Sequence, residues 1–157
     1  MIILGIDPGT ARMGCGVIEV KRNKKVTLLH SRVLITPPEH EQHQRLLTLY
    51  KGLLDLVKEF SPEVMVVEKL FFNTNVKTAL TVGQARGISM LVAASKKLKM
   101  FEYTALQAKL VLTGYGRSDK KQMQESVKTH LELSEIIKSD DANDAVAMAL
   151  CYVKKEL

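Results

Sequence analysis

Cysteine is scarce in this sequence. Its 157 residues include two, Cys15 and Cys151, each inside an apolar segment. A disulfide framework is therefore excluded, and two buried free thiols in a reducing cytoplasm are expected. No apolar run reaches the ~18 residues that a membrane span requires. The opening Met-Ile-Ile-Leu-Gly-Ile-Asp7 lacks a basic flank and soon meets an acid, so it does not read as a secretory leader. There is no Gly-x-x-x-x-Gly-Lys phosphate loop, no His/Cys spacing for zinc, and no Cys–His or Ser–His–Asp arrangement for a covalent nucleophile. Repeats, low-complexity stretches and linkers are also missing, so residues 1–157 are expected to form one domain. What is present in surplus is positive charge. Lys and Arg number 23 against 17 Asp and Glu, which favours a polyanionic partner.

Hydrophobic periodicity gives the order of elements. Met1–Ile6 is a short apolar run, expected as a strand buried on both faces and followed by the turn Asp7-Pro8-Gly9-Thr10. Strands over 14–20 and 26–35, joined by the charged turn 21–25, complete an antiparallel meander. Leu46, Leu47, Tyr50, Leu53, Leu54, Val57 and Phe60 recur at spacings of three and four, so a helix is expected over 42–60. Val64–Val67 is a wholly apolar strand. A long helix over 76–98, a strand over 100–103, a short helix over 106–113, a helix from Asp119 with Gln122 in a capping box, and a last helix over 141–154 follow. Three antiparallel strands and then alternating strands and helices imply an α/β protein. Its expected form is a mixed five-stranded sheet with helices on both faces, in the RNase H-like order.

Four carboxylates occupy unusual places. Asp7 follows the first strand, Glu68 follows the buried strand 64–67, and Asp141 and Asp144 lie three apart at the start of the last helix. Strand ends and helix N-termini are where α/β sheets hold ligands. Asp141 and Asp144 border the helix's apolar stripe and so face the protein body. Each acid has a structural alternative: a turn opener for Asp7, a solvated strand end for Glu68, an N-cap for Asp141 or Asp140. If they converge within about 5 Å they repel one another strongly, and a bound cation removes that penalty. All-oxygen ligands suit Mg²⁺ or Mn²⁺. Such a site fits phosphodiester hydrolysis, in which two hard cations activate water and stabilise the departing oxygen.

Five segments carry a family resemblance. Ile6-Asp7-Pro8-Gly9-Thr10-Ala11-Arg12-Met13-Gly14-Cys15-Gly16-Val17 is similar to the opening motif of the RuvC resolvases. Glu68–Asn75, Thr78-Ala79-Leu80 with Gly83-Gln84-Ala85-Arg86-Gly87, Lys109 with Thr113–Lys120, and Asp141-Ala142-Asn143-Asp144-Ala145 resemble the later motifs, in family order. The resemblance implies an RNase H-like homodimer that nicks four-way DNA junctions symmetrically with Mg²⁺, for which Mn²⁺ substitutes. It implies cooperation with the branch-migration proteins RuvA and RuvB. It makes Asp7, Glu68, Asp141 and Asp144 the metal-binding catalytic acids, Lys109 and Lys120 contacts to DNA near them, and Phe71 an aromatic that stacks on bases at the opened crossover.

Independently of that likeness, Lys109, Arg117, Lys120 and Lys121 bracket the loop Gly114-Tyr115-Gly116, where a phosphate can approach closely because glycine has no Cβ. The alternative is a helix C-cap and a solvated turn. The helix over 76–98 is apolar around more of its circumference than one packed face needs, as in a buried central helix or a self-complementary dimer surface. Other functions remain in view. Gly5–Thr10 also resembles the phosphate-binding opening of actin-like ATPases and sugar kinases, but a second domain and an adenosine-binding motif are missing. A junction-binding module without catalysis would not need four acids. An RNase H-like nuclease for another substrate, such as an RNA–DNA hybrid, would lack reason for the Phe71 loop.

Overall fold

The computed structural model describes residues 1–69 and 76–157, the side chains of residues 76 and 77 excepted. Three strands come first: β1 (Ile2–Asp7), β2 (Arg12–Val20) and β3 (Val26–Ile35). They are followed by α1 (Gln42–Phe60), β4 (Val64–Glu68), α2 (Val76–Ser95), β5 (Lys99–Tyr103), α3 (Ala105–Thr113), α4 (Lys120–His130) and α5 (Asp140–Glu156). The sheet order is β3-β2-β1-β4-β5. β1 pairs antiparallel with β2, and β2 with β3; β1–β4 and β4–β5 are parallel. This is the mixed sheet that the sequence leads one to expect.

β1, β2 and β4 are buried on both sides, and their period of two sorts the side chains between two cores. Ile3, Ile18, Val64 and Val66 join the core beneath α3, α4 and α5. Leu4, Ile6, Met13, Cys15, Val17, Met65 and Val67 join the core beneath α1 and α2. The same parity turns Gly5 and Asp7 of β1, Gly14 and Gly16 of β2, and Glu68 of β4 towards α5.

The central helix is α5. From Ala142 to Tyr152 every residue but Asp144 is buried. It lies so low on the sheet that a Cβ on Gly5 would stand 1.9 Å from the carbonyl oxygen of Ala145, and one on Gly14 would stand 1.9 Å from that of Asp141. The glycines are therefore the floor on which the helix rests. The other candidate for a central position, α2, is buried only along Ala85, Ser89, Val92 and Ala93, while Leu80 (64% exposed) and Leu91 (56%) face outward. α2 also stops earlier than its apolar pattern suggests. Lys97 adopts a left-handed φ of 57°, and the amide of Leu98 turns back to the Ala93 carbonyl at 2.9 Å, a common way for a helix to end.

Both cysteines are free and buried, and burial pushes the Cys15 thiol up to about 12, so it is not poised as a nucleophile. Among the described residues, no helix is long and apolar enough to cross a membrane.

Candidate active site

Asp7 and Glu68 are the last residues of β1 and β4, rather than the first residues beyond them. The register pairs Ile6 with Val67, so the two acids are neighbours at the carboxyl ends of parallel strands. They are close enough for each to alter the other's hold on its proton. Burial first, then the charges of Glu68, Asp144 and Asp141, push Asp7 up to about 8. Glu68 is also raised, by burial above all and by Asp144, while Lys109 opposes the rise. Asp144 is raised by burial and by Asp140 and Asp141, against the pull of Lys120 and Lys109. The acids thus interact unevenly. Glu68 acts on Asp7 most strongly, Asp144 less and Asp141 least. Among the described residues, no group of three His, Cys, Asp or Glu side chains forms a ready-made cation cage.

The helix that brings two of the acids is capped by Ser139, not by either aspartate. The Ser139 hydroxyl accepts from the amide of Ala142 at 3.4 Å. Asp140 and Asp141 occupy the first turn, beside the positive end of the helix dipole. Each takes a cation from another element. Arg12 Nε donates to Asp141 Oδ2 at 2.7 Å, and Lys120 Nζ donates to Asp140 Oδ2 at 2.7 Å. That second bond, together with Asp140's charge, holds the Lys120 ammonium above its ordinary pKa.

A cavity of about 150 Å³ opens between these elements, and Glu68, Asp144, Lys109 and Lys120 are among the residues that line it. Ala105 and Ala108 line it too. Arg117 and Lys121 are exposed and stand outside that lining. Phe71 lies outside the described residues. The glycine loop begins with the helix C-cap of the alternative reading, and nothing lies within 4 Å of a Cβ built on Gly114. Gly114 caps α3 in the left-handed region at φ 77°. Gly116 is small because a Cβ there would stand 2.6 Å from Leu106 Cδ1. Asp119 caps α4 in a reciprocal box with Gln122, as its spacing suggests.

Two residues were missed by sequence reasoning as partners of the site, Arg12 and Asp140. Arg12 shares the parity of Gly14 and Gly16, and that period was the signal that could have turned it towards α5. Asp140 had no comparable signal, because its role depends on where Lys120 reaches across from α4.

A five-stranded sheet of this order, with acids at two adjacent strand ends and on the helix laid across them, defines an RNase H-like nuclease. The chain belongs to the RuvC family: the family profile described as crossover junction endodeoxyribonuclease RuvC matches residues 3–152. The RuvC of Desulforamulus reducens is 50% identical over 154 residues, covering 98% of this chain and 94% of the relative. The solved structure of Thermus thermophilus RuvC superposes with a TM-score of 0.87 at 32% identity, covering 97% of this chain and 93% of that one. The same protein in complex with a Holliday junction substrate superposes with a TM-score of 0.87 at 30% identity, covering 97% and 92%.

Proposed function

We propose that this chain is a structure-specific endonuclease that resolves four-way DNA junctions in recombination and repair by metal-assisted phosphodiester hydrolysis. The observation that carries the reading is the half-buried Asp7–Glu68 pair at adjacent strand ends. Two neighbouring carboxyl groups, each raised by burial and by the charges around it, with Asp144 and Asp141 nearby, are short of positive charge. A divalent cation would supply that charge. The donors are all oxygens, which suits Mg²⁺, with Mn²⁺ as a substitute. Asp7 and Glu68 are the residues to hold it, with Asp144 and Asp141 closing in from α5. When bound, such ions supply an activated water and charge neutralisation at the leaving oxygen.

The chain's own residues supply the rest. Lys109 and Lys120 line the same cavity as Glu68 and Asp144 and would draw the scissile phosphate in, screening its charge from the carboxylates. Arg117 and Lys121, outside the cavity, would hold the backbone further along. Phe71 would stack on an unpaired base, worth ~1–3 kcal/mol.

A second copy would present a second site to the symmetry-related strand. The face of α2 that carries Leu80, Gly83, Gly87 and Leu91 suits that contact. Both leucines are exposed, and nothing lies within 4 Å of a Cβ built on either glycine, so another helix could approach closely. Cytoplasmic location and cooperation with RuvA and RuvB complete the reading, along with a single domain over residues 1–157.

The test is incubation of the purified chain with synthetic four-way junctions and matched linear duplexes, with Mg²⁺ or with a chelator. Paired symmetric nicks in the junction, only with Mg²⁺, are expected. Equal cutting of the duplex, or cutting of an RNA–DNA hybrid in preference, would overturn the assignment.

A further inference from the structure

Arg12, paired with Asp141 at the edge of the site, has no part in the hydrolysis described above. Arg12 opens β2, and its parity with Gly14 and Gly16 directs it to α5. Gly14 is the residue over which the Asp141 backbone sits, so the two side chains are held at the same edge of the sheet. Nε meets Oδ2 at 2.7 Å, with the guanidinium 52% exposed and the carboxylate 31%. A guanidinium stays charged at every accessible pH. A cation that takes the Asp141 carboxylate, or an anion that takes the Arg12 guanidinium, ends the pair.

We propose that Arg12 is a positioning residue that competes with the divalent cation for Asp141. In the metal-free chain Arg12 keeps that carboxylate turned to the rim; entry of a cation exchanges the guanidinium for the metal and leaves Arg12 free. The proposal rests on the metal-assisted reading of Asp7, Glu68, Asp141 and Asp144. It explains why the four acids form no finished cage: one of the four is held by a protein cation. It also makes the coupling reciprocal, since whatever loosens Arg12 tightens the metal and the reverse.

The experiment is Mn²⁺ binding to the DNA-free chain, with free ion counted by electron paramagnetic resonance. Wild type, Arg12→Ala, Arg12→Lys, Asp141→Asn, Asp7→Asn and the Arg12→Ala/Asp141→Asn double variant are compared. Arg12→Ala is expected to bind Mn²⁺ roughly three- to five-fold more tightly, the scale of a partly exposed ion pair. Arg12→Lys, which keeps the charge, should fall between Arg12→Ala and wild type. In the Asp141→Asn background the Arg12→Ala effect should shrink below about two-fold, because the residue through which it acts is gone. Unchanged or weaker binding by Arg12→Ala overturns the proposal, as does a tightening of equal size in the Asp141→Asn background. The failure of the underlying reading looks different. If wild type binds no Mn²⁺, the metal site falls and this proposal with it. If wild type binds and Asp7→Asn does not, while Arg12→Ala equals wild type, only the Arg12 proposal falls.

Discussion

Replacing Asp7 by Asn should stabilise the metal-free protein while abolishing cleavage. In the unfolded chain Asp7 loses its proton near 3.8; in the folded chain it keeps it until about 8. A carboxyl whose folded pKa is raised contributes stability that is full below the unfolded pKa and is lost as pH climbs through the folded one. For Asp7 that window runs from about pH 4 to about pH 8. Each unit within it is worth at most about 1.4 kcal/mol, so the ceiling is near 6 kcal/mol. Water entry and side-chain rotation at a partly open site reduce this, and a loss of about 2–4 kcal/mol at pH 8 relative to pH 4 is expected. Asn does not ionise and removes the loss.

Thermal unfolding in the presence of a chelator reads the difference directly. At this chain length 1 kcal/mol moves the midpoint by about 2–4 °C, so Asp7→Asn should melt roughly 5–12 °C above wild type at pH 8 and close to it at pH 4. Glu68 and Asp144 are raised as well and tilt both curves in the same direction, so the quantity that matters is the gap between the two variants. Mg²⁺ should raise the wild-type midpoint at pH 8 and leave that of Asp7→Asn almost unmoved. A gap that does not change with pH, or an Asn variant that melts lower at pH 8, would refute the reasoning and make Asp7 an ordinary structural aspartate.

Asp7→Asn should also bind a four-way junction nearly as well as wild type in a gel-shift assay, since it removes no phosphate contact; loss of binding as severe as the loss of cleavage would count against it. Lys120→Ala should slow cleavage about ten-fold or more, as removal of charge stabilisation near a phosphate does, with an unchanged melting midpoint because the side chain is exposed. Asp140→Asn frees Lys120 from its partner and should alter the cleavage rate without altering the fold, checked by single-turnover kinetics beside circular dichroism. Gly5→Ala places a Cβ 1.9 Å from the Ala145 carbonyl oxygen and should lower stability by about 2–3 kcal/mol in urea titrations. Leu91→Glu, on the exposed face of α2, should shift the chain towards monomer in sedimentation experiments.

The elements and their order were legible because each segment has a clean period: strands bounded by turn residues, α1 with a stripe every three or four residues, Asp119 and Gln122 in a capping relation. The two helices most relevant to function were harder. α2 and α5 are both apolar over most of their surface, and periodicity cannot say which is enclosed. What decides it is not on either helix. It is the absence of side chains on β1 and β2, where Gly5, Gly14 and Gly16 share one face of the sheet and leave a trough that only α5 fills. The same face holds Arg12, Asp7 and, across β4, Glu68. A strand reading that stops at buried on both sides discards that phase, and with it the direction in which Arg12 points. The acids themselves were visible as residues, but not their unequal grouping. That follows from the ion pairs of Asp140 and Asp141 with Lys120 and Arg12, which join segments 20 and 129 residues apart. Local pattern carries no information about such pairs. A close-fitting helix on a glycine floor fixes the backbone of α5 against the strand ends, while the side chains at its first turn stay open to exchange partners. That combination, a rigid frame with replaceable counter-charges, is what a site must have if cations are to enter after the protein has folded.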